Sequence, residues 1–62
     1  MTLKEKLCSI EPSTCYTFKQ TNEDRCELLI DRQGWCGDYS IGHARRVVKS
    51  LGHNWNMVFK PY

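Results

Sequence analysis

The stretch that decides the fold is residues 40–52, which read SIGHARRVVKSLG. At 100° per residue, its apolar side chains fall within one arc of about 120°. The members of this arc are Ile41, Ala44, Val47, Val48 and Leu51. Ser40 is a residue type that accepts hydrogen bonds at a helix N-cap, and Gly52 is the type that adopts the left-handed conformation after a helix ends. The segment therefore predicts an amphipathic helix over residues 41–51.

Two stretches that precede this helix alternate between apolar and polar residues with a period of two. The first is residues 15–19 and the second is residues 26–31, and the polar residues 21–24 join them. This pattern predicts a β-hairpin with one buried face. The buried positions of its second strand are Cys26, Leu28 and Ile30. Leu29 is an apolar side chain on the polar face, so it is either covered by the N-terminal helix or part of an exposed patch.

The N-terminal residues predict a short helix. Thr2 and Glu5 have the spacing of a capping box, and apolar residues repeat at helical spacing as far as Ile10. Pro12 is expected to stop this helix, because the residue before a proline is pushed out of the helical region. A helix of about two turns is unstable alone, so it must pack on the rest of the domain.

Two further strands complete the prediction. Residues 35–39 form a short strand broken by Gly37, and residues 55–60 alternate as a terminal strand. The element order is then α-β-β-β-α-β in a single domain over residues 1–62. This order predicts the α+β class, with a mostly antiparallel four-stranded sheet that the helix of residues 40–52 covers on one face.

Charge is distributed unevenly along the 62 residues, although the formal net charge is only +2. Residues 1–31 carry four basic and six acidic side chains (4 − 6 = −2), and residues 32–62 carry five basic and one acidic (5 − 1 = +4). Such a field suits an anionic partner on the basic side, either nucleic acid or an acidic protein. The alternative is a helix face that is only solvated.

Targeting signals are not evident in the sequence. No apolar run is long enough to cross a bilayer, and the first seven residues lack the apolar centre of a signal peptide. We therefore expect a cytoplasmic protein with no membrane association. Since the chain begins with Met and ends on an aromatic strand, we also expect a complete small gene product.

The cysteines do not have metal-binding spacing. Intervals of six, ten and nine residues separate Cys8, Cys15, Cys26 and Cys36. None of these intervals forms the C-x-x-C unit that places two thiolates on one ion, so we expect no metal site. Zinc held with His43 and His53, and a pair of disulfides, remain alternatives. A reducing compartment favours free thiols that act as small apolar residues, with Cys26 in the core.

Catalytic constellations are also missing from the sequence. Cys36, Asp38 and His43 lie close together along the chain, but no glycine-rich phosphate loop or oxyanion-hole motif accompanies them. We therefore expect no enzyme, no catalytic residues and no cofactor.

Binding to a larger macromolecule is the remaining function class, and the composition favours a protein partner. Interfaces are enriched in tryptophan, tyrosine and arginine, and many small α+β accessory proteins of bacteria and phages act as inhibitors or adaptors. The candidate partner-binding residues are His43, Arg45, Arg46 and Lys49 on the helix, and Trp35, Tyr39, Trp55, Lys60 and Tyr62 elsewhere. Among the aromatic residues Trp35, Trp55 and Phe59, at least two are expected to pack in the core. The protein is predicted to be a monomer, or a homodimer that pairs through the C-terminal edge strand.

Nucleic acid is the alternative partner. The element order over residues 2–52 resembles the double-stranded RNA-binding domain, in which basic residues at the start of the last helix meet phosphates. That resemblance implies the same role for residues 42–46, which read GHARR. The sequence departs from the family in the acidic turn at residues 21–24 and in the strand that follows the helix.

Overall fold

A computed structural model describes residues 2–11 and 13–62 and confirms the predicted α+β class. In chain order the elements are α1 (Leu3–Cys8), β1 (Tyr16–Gln20), β2 (Arg25–Ile30), β3 (Gly34–Ser40), α2 (Ile41–Ser50), α3 (Trp55–Val58) and β4 (Phe59–Lys60). The strand order in the sheet is β3-β2-β1-β4, antiparallel except for the parallel pair of β1 and β4. α1 ends two residues before Ile10, and the predicted stop at Pro12 lies outside the described residues.

The helix α2 begins where its sequence predicts and ends at Ser50, one residue before the predicted end. The hydroxyl of Ser40 accepts a hydrogen bond of 3.2 Å from the backbone N–H of His43. At the other end Gly52 has a φ of 78°, and its N–H and that of His53 donate to carbonyls of the last helical turn. This paired closure is the Schellman motif, which satisfies carbonyls that a helix end leaves free. No helix within the described ranges is long and apolar enough to span a bilayer.

The core lies between one face of the sheet and the helices α1 and α2. Each of these helices contributes two buried side chains, and β1 and β2 contribute the rest. The buried residues are Leu3, Leu7, Phe18, Cys26, Leu28, Ile30, Ala44 and Val48. The prediction that Cys26 is a core residue is confirmed. Because helix residues fill only this side, the described residues leave the opposite face of the sheet uncovered.

The strand β3 is continuous, so the prediction that Gly37 breaks it is wrong. The register with β2 shifts instead: Asp38 pairs with Glu27, whereas Trp35 pairs with Leu29. This shift is a β-bulge, and Gly37 allows it because its φ of 125° is one that other residues rarely adopt. The bulge places Trp35 and Asp38 on the same face although they are three residues apart.

The C-terminal segment differs from the alternating strand predicted for residues 55–60. Trp55–Val58 form a single helical turn, and only Phe59–Lys60 are strand. The side chain of Asn54 starts this turn by accepting from the N–H of Asn56 at 3.0 Å. The helical turn brings Trp55 against Phe59, four residues on, with ring centroids 4.8 Å apart. Both rings pack on the core, as the sequence predicts for two of the three aromatic candidates.

Candidate binding surfaces

The predicted partner-binding residues do not form one surface. His43, Arg45, Arg46 and Lys49 lie on the exposed side of α2, which we call the helix surface. Trp35 and Lys60 lie on the uncovered face of the sheet. We call this face the sheet surface, and its residues are Thr17, Lys19, Glu27, Leu29, Trp35, Asp38 and Lys60. Because α2 packs on the other face, the helix surface and the sheet surface are on opposite sides of the protein.

The helix surface is held rigidly by the buried side of the same helix. Ala44 and Val48 are completely buried, so Arg45, Arg46 and Lys49 on the other side of the helix are turned outward. Arg45, Arg46 and Lys49 line a shallow cavity of about 320 Å³ together with Gly42. Positive charge on an open, concave site is able to bind phosphates or carboxylates.

An acidic turn lies beside the start of this helix. The N–H of Ile41 donates a 2.9 Å hydrogen bond to the carbonyl of Asp24, which fixes the turn of residues 21–24 against α2. Glu23 and Asp24 are exposed there. Acidic side chains are favourable beside the positive end of a helix dipole, but they repel an approaching phosphate.

The sheet surface follows from alternation along the strands. Phe18 and Leu28 point into the core, so Lys19 and Leu29 next to them point to the other face. Leu29 is half-buried on this surface and pairs with Thr17 on β1 and with Trp35 on β3. The open alternative for Leu29, a patch that no helix covers, is therefore the one that the structure adopts.

A row of charged side chains crosses the sheet surface at right angles to the strands. In strand order it consists of Asp38, Glu27, Lys19 and Lys60, each in register with the next. We call these four residues the charged row. Its first two members are acidic and its last two are basic. Like charges on directly opposed positions are destabilising, and the row contains two such pairs, one at each end.

A groove of about 820 Å³ runs along the basic side of the sheet surface. Leu29 and Pro61 contribute apolar side chains to its lining, while Lys19 and Lys60 add positive charge. The remaining lining residues are Cys15 before β1, Thr17 in β1, Ile30 at the end of β2, Asp31 and Arg32 in the turn after β2, and Gly34 at the start of β3. This combination suits an occupant that has an apolar part and a negative charge.

Large apolar side chains are exposed at three positions. Trp35 on the sheet surface is 60% exposed, and Met57 and Tyr62 are exposed to 76% and 75%. The sequence did not identify Met57, Lys19 or the groove as parts of a candidate binding surface. The one available signal was Leu29, whose apolar side chain interrupts the polar face of its strand.

Tyr39 and Trp55 are half-buried and pack on the core. Their rings surround Phe18, with ring centroids 6.5 Å and 5.6 Å from its own. Most of the area of these two aromatic residues therefore serves the fold, and little of it is open to a partner.

Burial raises the pKa of two side chains, Cys26 and Tyr16. Burial raises the pKa of the Cys26 thiol, with smaller opposing effects from Arg25, which lowers it, and Asp38, which raises it. Burial also raises the pKa of Tyr16, whose hydroxyl lies 2.7 Å from Nδ1 of His53. All four cysteines are free, and residues 2–11 and 13–62 contain no group of three or more acidic, cysteine or histidine side chains arranged to hold a metal ion.

No protein-family model matches this chain, and no curated protein or solved structure is significantly similar to it.

Proposed function

We propose that this protein is a small non-enzymatic regulatory or inhibitor-type protein that binds a larger protein through its sheet surface. The observation that carries the proposal is the 60% exposure of Trp35 beside the groove, on a face that no described helix covers. Aromatic side chains next to a concave apolar site are typical centres of protein interfaces.

A partner that binds the sheet surface would remove the exposed area of Trp35 from water. A buried tryptophan covers roughly 200 Å², so the exposed part of Trp35 amounts to about 120 Å². At about 25 cal/mol per Å², its burial supplies about 3 kcal/mol. An exposed ion pair supplies about 0.2–1 kcal/mol, so one residue of the sheet surface offers as much as several cations of the helix surface.

We propose a binding role without catalysis because of the chemistry of the two surfaces. Catalytic groups are commonly marked by pKa values shifted by neighbouring charges inside a cleft. Burial raises the pKa of Tyr16 and of Cys26, and neither of these side chains lines the groove. The groove offers contact area and positive charge, which are properties of a binding site.

Nucleic acid on the helix surface is the second candidate function. The cavity that Arg45, Arg46 and Lys49 form supports it, as does an element order similar to that of the double-stranded RNA-binding domain. Against it stands the acidic turn that Asp24 fixes beside the start of the same helix. The local field there combines both signs, which is unfavourable for a phosphate backbone.

The opposite placement of the surfaces makes the two candidates separable by mutation. Affinity capture from lysate of the native cells uses three forms of the protein: the wild type, Trp35→Ala, and the helix-surface triple variant R45Q/R46Q/K49Q. Each capture is done with and without nuclease, and each variant is first checked for folding by circular dichroism. Glutamine keeps good helix propensity, so the triple variant is expected to fold.

The proposal predicts that Trp35→Ala loses a protein that the triple variant retains and that nuclease does not release. Loss of about 3 kcal/mol corresponds to a decrease in affinity of more than 100-fold. If the triple variant instead loses a nuclease-sensitive interaction that Trp35→Ala retains, the helix surface binds nucleic acid and the proposal is wrong.

A further inference from the structure

The order of signs along the charged row is unfavourable at both of its ends. It reads acidic, acidic, basic, basic from one edge of the sheet to the other, through Asp38, Glu27, Lys19 and Lys60. Within one chain the outer neighbours repel each other, since Asp38 opposes Glu27 and Lys60 opposes Lys19. A partner whose charges run in the reverse order would relieve both repulsions.

We infer that a second copy of this chain is such a partner, and that two sheet surfaces bind face to face in a symmetric dimer. A two-fold axis that lies between the faces and runs parallel to the strands reverses the order of the strands. It places β3 of one copy over β4 of the other, so that Asp38 meets Lys60 and Glu27 meets Lys19. A two-fold axis that runs across the strands stacks each strand on its own copy, which brings like charges together.

The apolar residues of the sheet surface fit the same arrangement. Trp35 pairs with Leu29, which pairs with Thr17, so this two-fold axis keeps the exposed Trp35 level with Thr17 and Leu29 of the second copy, both of which line the groove. Leu29 lies near the centre of both faces. Symmetry makes each contact occur twice, as in isologous dimers.

The dimer uses the same surface that the proposed function assigns to a larger protein. In that one respect, this inference rests on the proposed function. The dimer and the larger partner bind the sheet surface in competition. Self-association therefore regulates partner binding, since the protein masks its own site at high concentration and frees it on dilution.

The test uses the two ends of the charged row. Asp38 and Lys60 are separated by three strand spacings, or about 14 Å, which is beyond the range of strong screened interaction within one chain. Asp38→Lys and Lys60→Asp are purified separately, and their association is measured by sedimentation equilibrium at an ionic strength of about 0.1 M, where the Debye length is about 10 Å. Each reversal makes two contacts of the dimer repulsive, so each variant alone should dimerise on the order of 30-fold more weakly than the wild type.

An equimolar mixture of the two variants gives the decisive result. Both ends are then complementary again, and native mass spectrometry should show the heterodimer in large excess over either homodimer. Glu23→Lys and Lys49→Glu are the matched controls, because they carry the same charge changes at exposed positions outside the sheet surface. Both controls should dimerise like the wild type.

A second measurement needs no variant and covers the case in which a charge reversal prevents folding. Wild-type protein in equal amounts of ¹⁴N and ¹⁵N forms is treated with a carbodiimide, which joins a carboxylate directly to an amine with loss of water. Mass spectrometry should identify a mixed-isotope link between Asp38 and Lys60.

A wild type that stays monomeric at millimolar concentration, or a variant mixture that forms no heterodimer while both variants are folded, overturns the inference. A dimer whose mixed-isotope links join other residues also overturns it. None of these results touches the proposed function, which Trp35→Ala tests separately in the capture experiment.

Discussion

The bulge in β3 places Trp35 and Asp38 on the sheet surface, and the backbone carbonyl of Cys36 at this bulge accepts two side-chain hydrogen bonds that can be tested by mutation. It accepts a 2.9 Å hydrogen bond from Nζ of Lys6 on α1 and a longer one of 3.4 Å from the hydroxyl of Tyr39. A hydrogen bond from a charged donor contributes about 1.5–3 kcal/mol when partly buried. Lys6→Met keeps the apolar stem of the side chain and removes the donor. Since Tyr39 still donates, we expect this variant to lose about 1 kcal/mol of unfolding free energy.

Removal of both donors should cost more than the two separate changes together. In the double variant K6M/Y39F the Cys36 carbonyl has no side-chain donor, and because Cys36 is half-buried we expect the low end of the cost of an unsatisfied buried group, about 1 kcal/mol. Urea unfolding followed by tryptophan fluorescence measures the four free energies of this cycle. Lys4→Met is the matched control, because Lys4 is exposed on the same helix, and its effect should stay within about 0.5 kcal/mol. Equal stability of Lys4→Met and Lys6→Met, or strict additivity of the cycle, would refute the reasoning.

Three further predictions concern the core, the cap of α2 and pH. Phe18→Ala should lower the unfolding free energy by about 3–5 kcal/mol, which is most of the stability expected for a domain of this size. This variant should therefore lose the cooperative thermal transition. Met57→Ala, at an exposed site, should keep that transition. Ser40→Ala removes the acceptor of the His43 N–H and should lower the unfolding free energy by about 1 kcal/mol in urea titrations; no change would contradict the capping role. Burial raises the pKa of the Cys26 thiol above its ordinary value of 9.0, so the unfolded chain loses that proton first, and stability should fall as the pH rises above 9.0. Cys26→Ala should flatten this decline, and an unchanged slope would contradict it.

Much of the fold could be predicted because its main elements have clean periodicity. The apolar arc of α2 and the alternation in β1 and β2 each leave one interpretation, and the two caps of α2 are formed by the residues expected. These segments also make up most of the buried core. Where one face of an element is fully buried, the sequence pattern and the structure must agree.

The C-terminal segment could not be predicted because two periodicities coexist in it. Trp55, Met57 and Phe59 alternate, but Trp55, Val58 and Phe59 also have the i, i+3, i+4 spacing of a helix. The structure adopts the second pattern in Trp55–Val58, with Asn54 as its N-cap, and Met57 is consequently exposed. Asn54 was the signal, since asparagine is among the favoured N-cap residues.

The sequence could identify single candidate residues, but not the surfaces that these residues form. Its cations and aromatic residues could be named, but their division between two opposite sides depends on which face α2 covers. The spacing of Trp35 and Asp38 on one face depends on the bulge at Gly37, and alternation alone would have put them on opposite faces. A pattern of period two carries no information about the position of an inserted residue.

The central claim is that the sheet surface is the binding surface for a larger protein, and protection of lysines tests it most directly. The captured complex and the free protein are acetylated briefly under the same conditions, and mass spectrometry measures the extent of modification at each lysine. The account predicts that Lys19 and Lys60 are protected in the complex, while Lys49 on the helix surface reacts as fast as in the free protein. Protection of Lys49 with unchanged reactivity of Lys19 and Lys60 would contradict it.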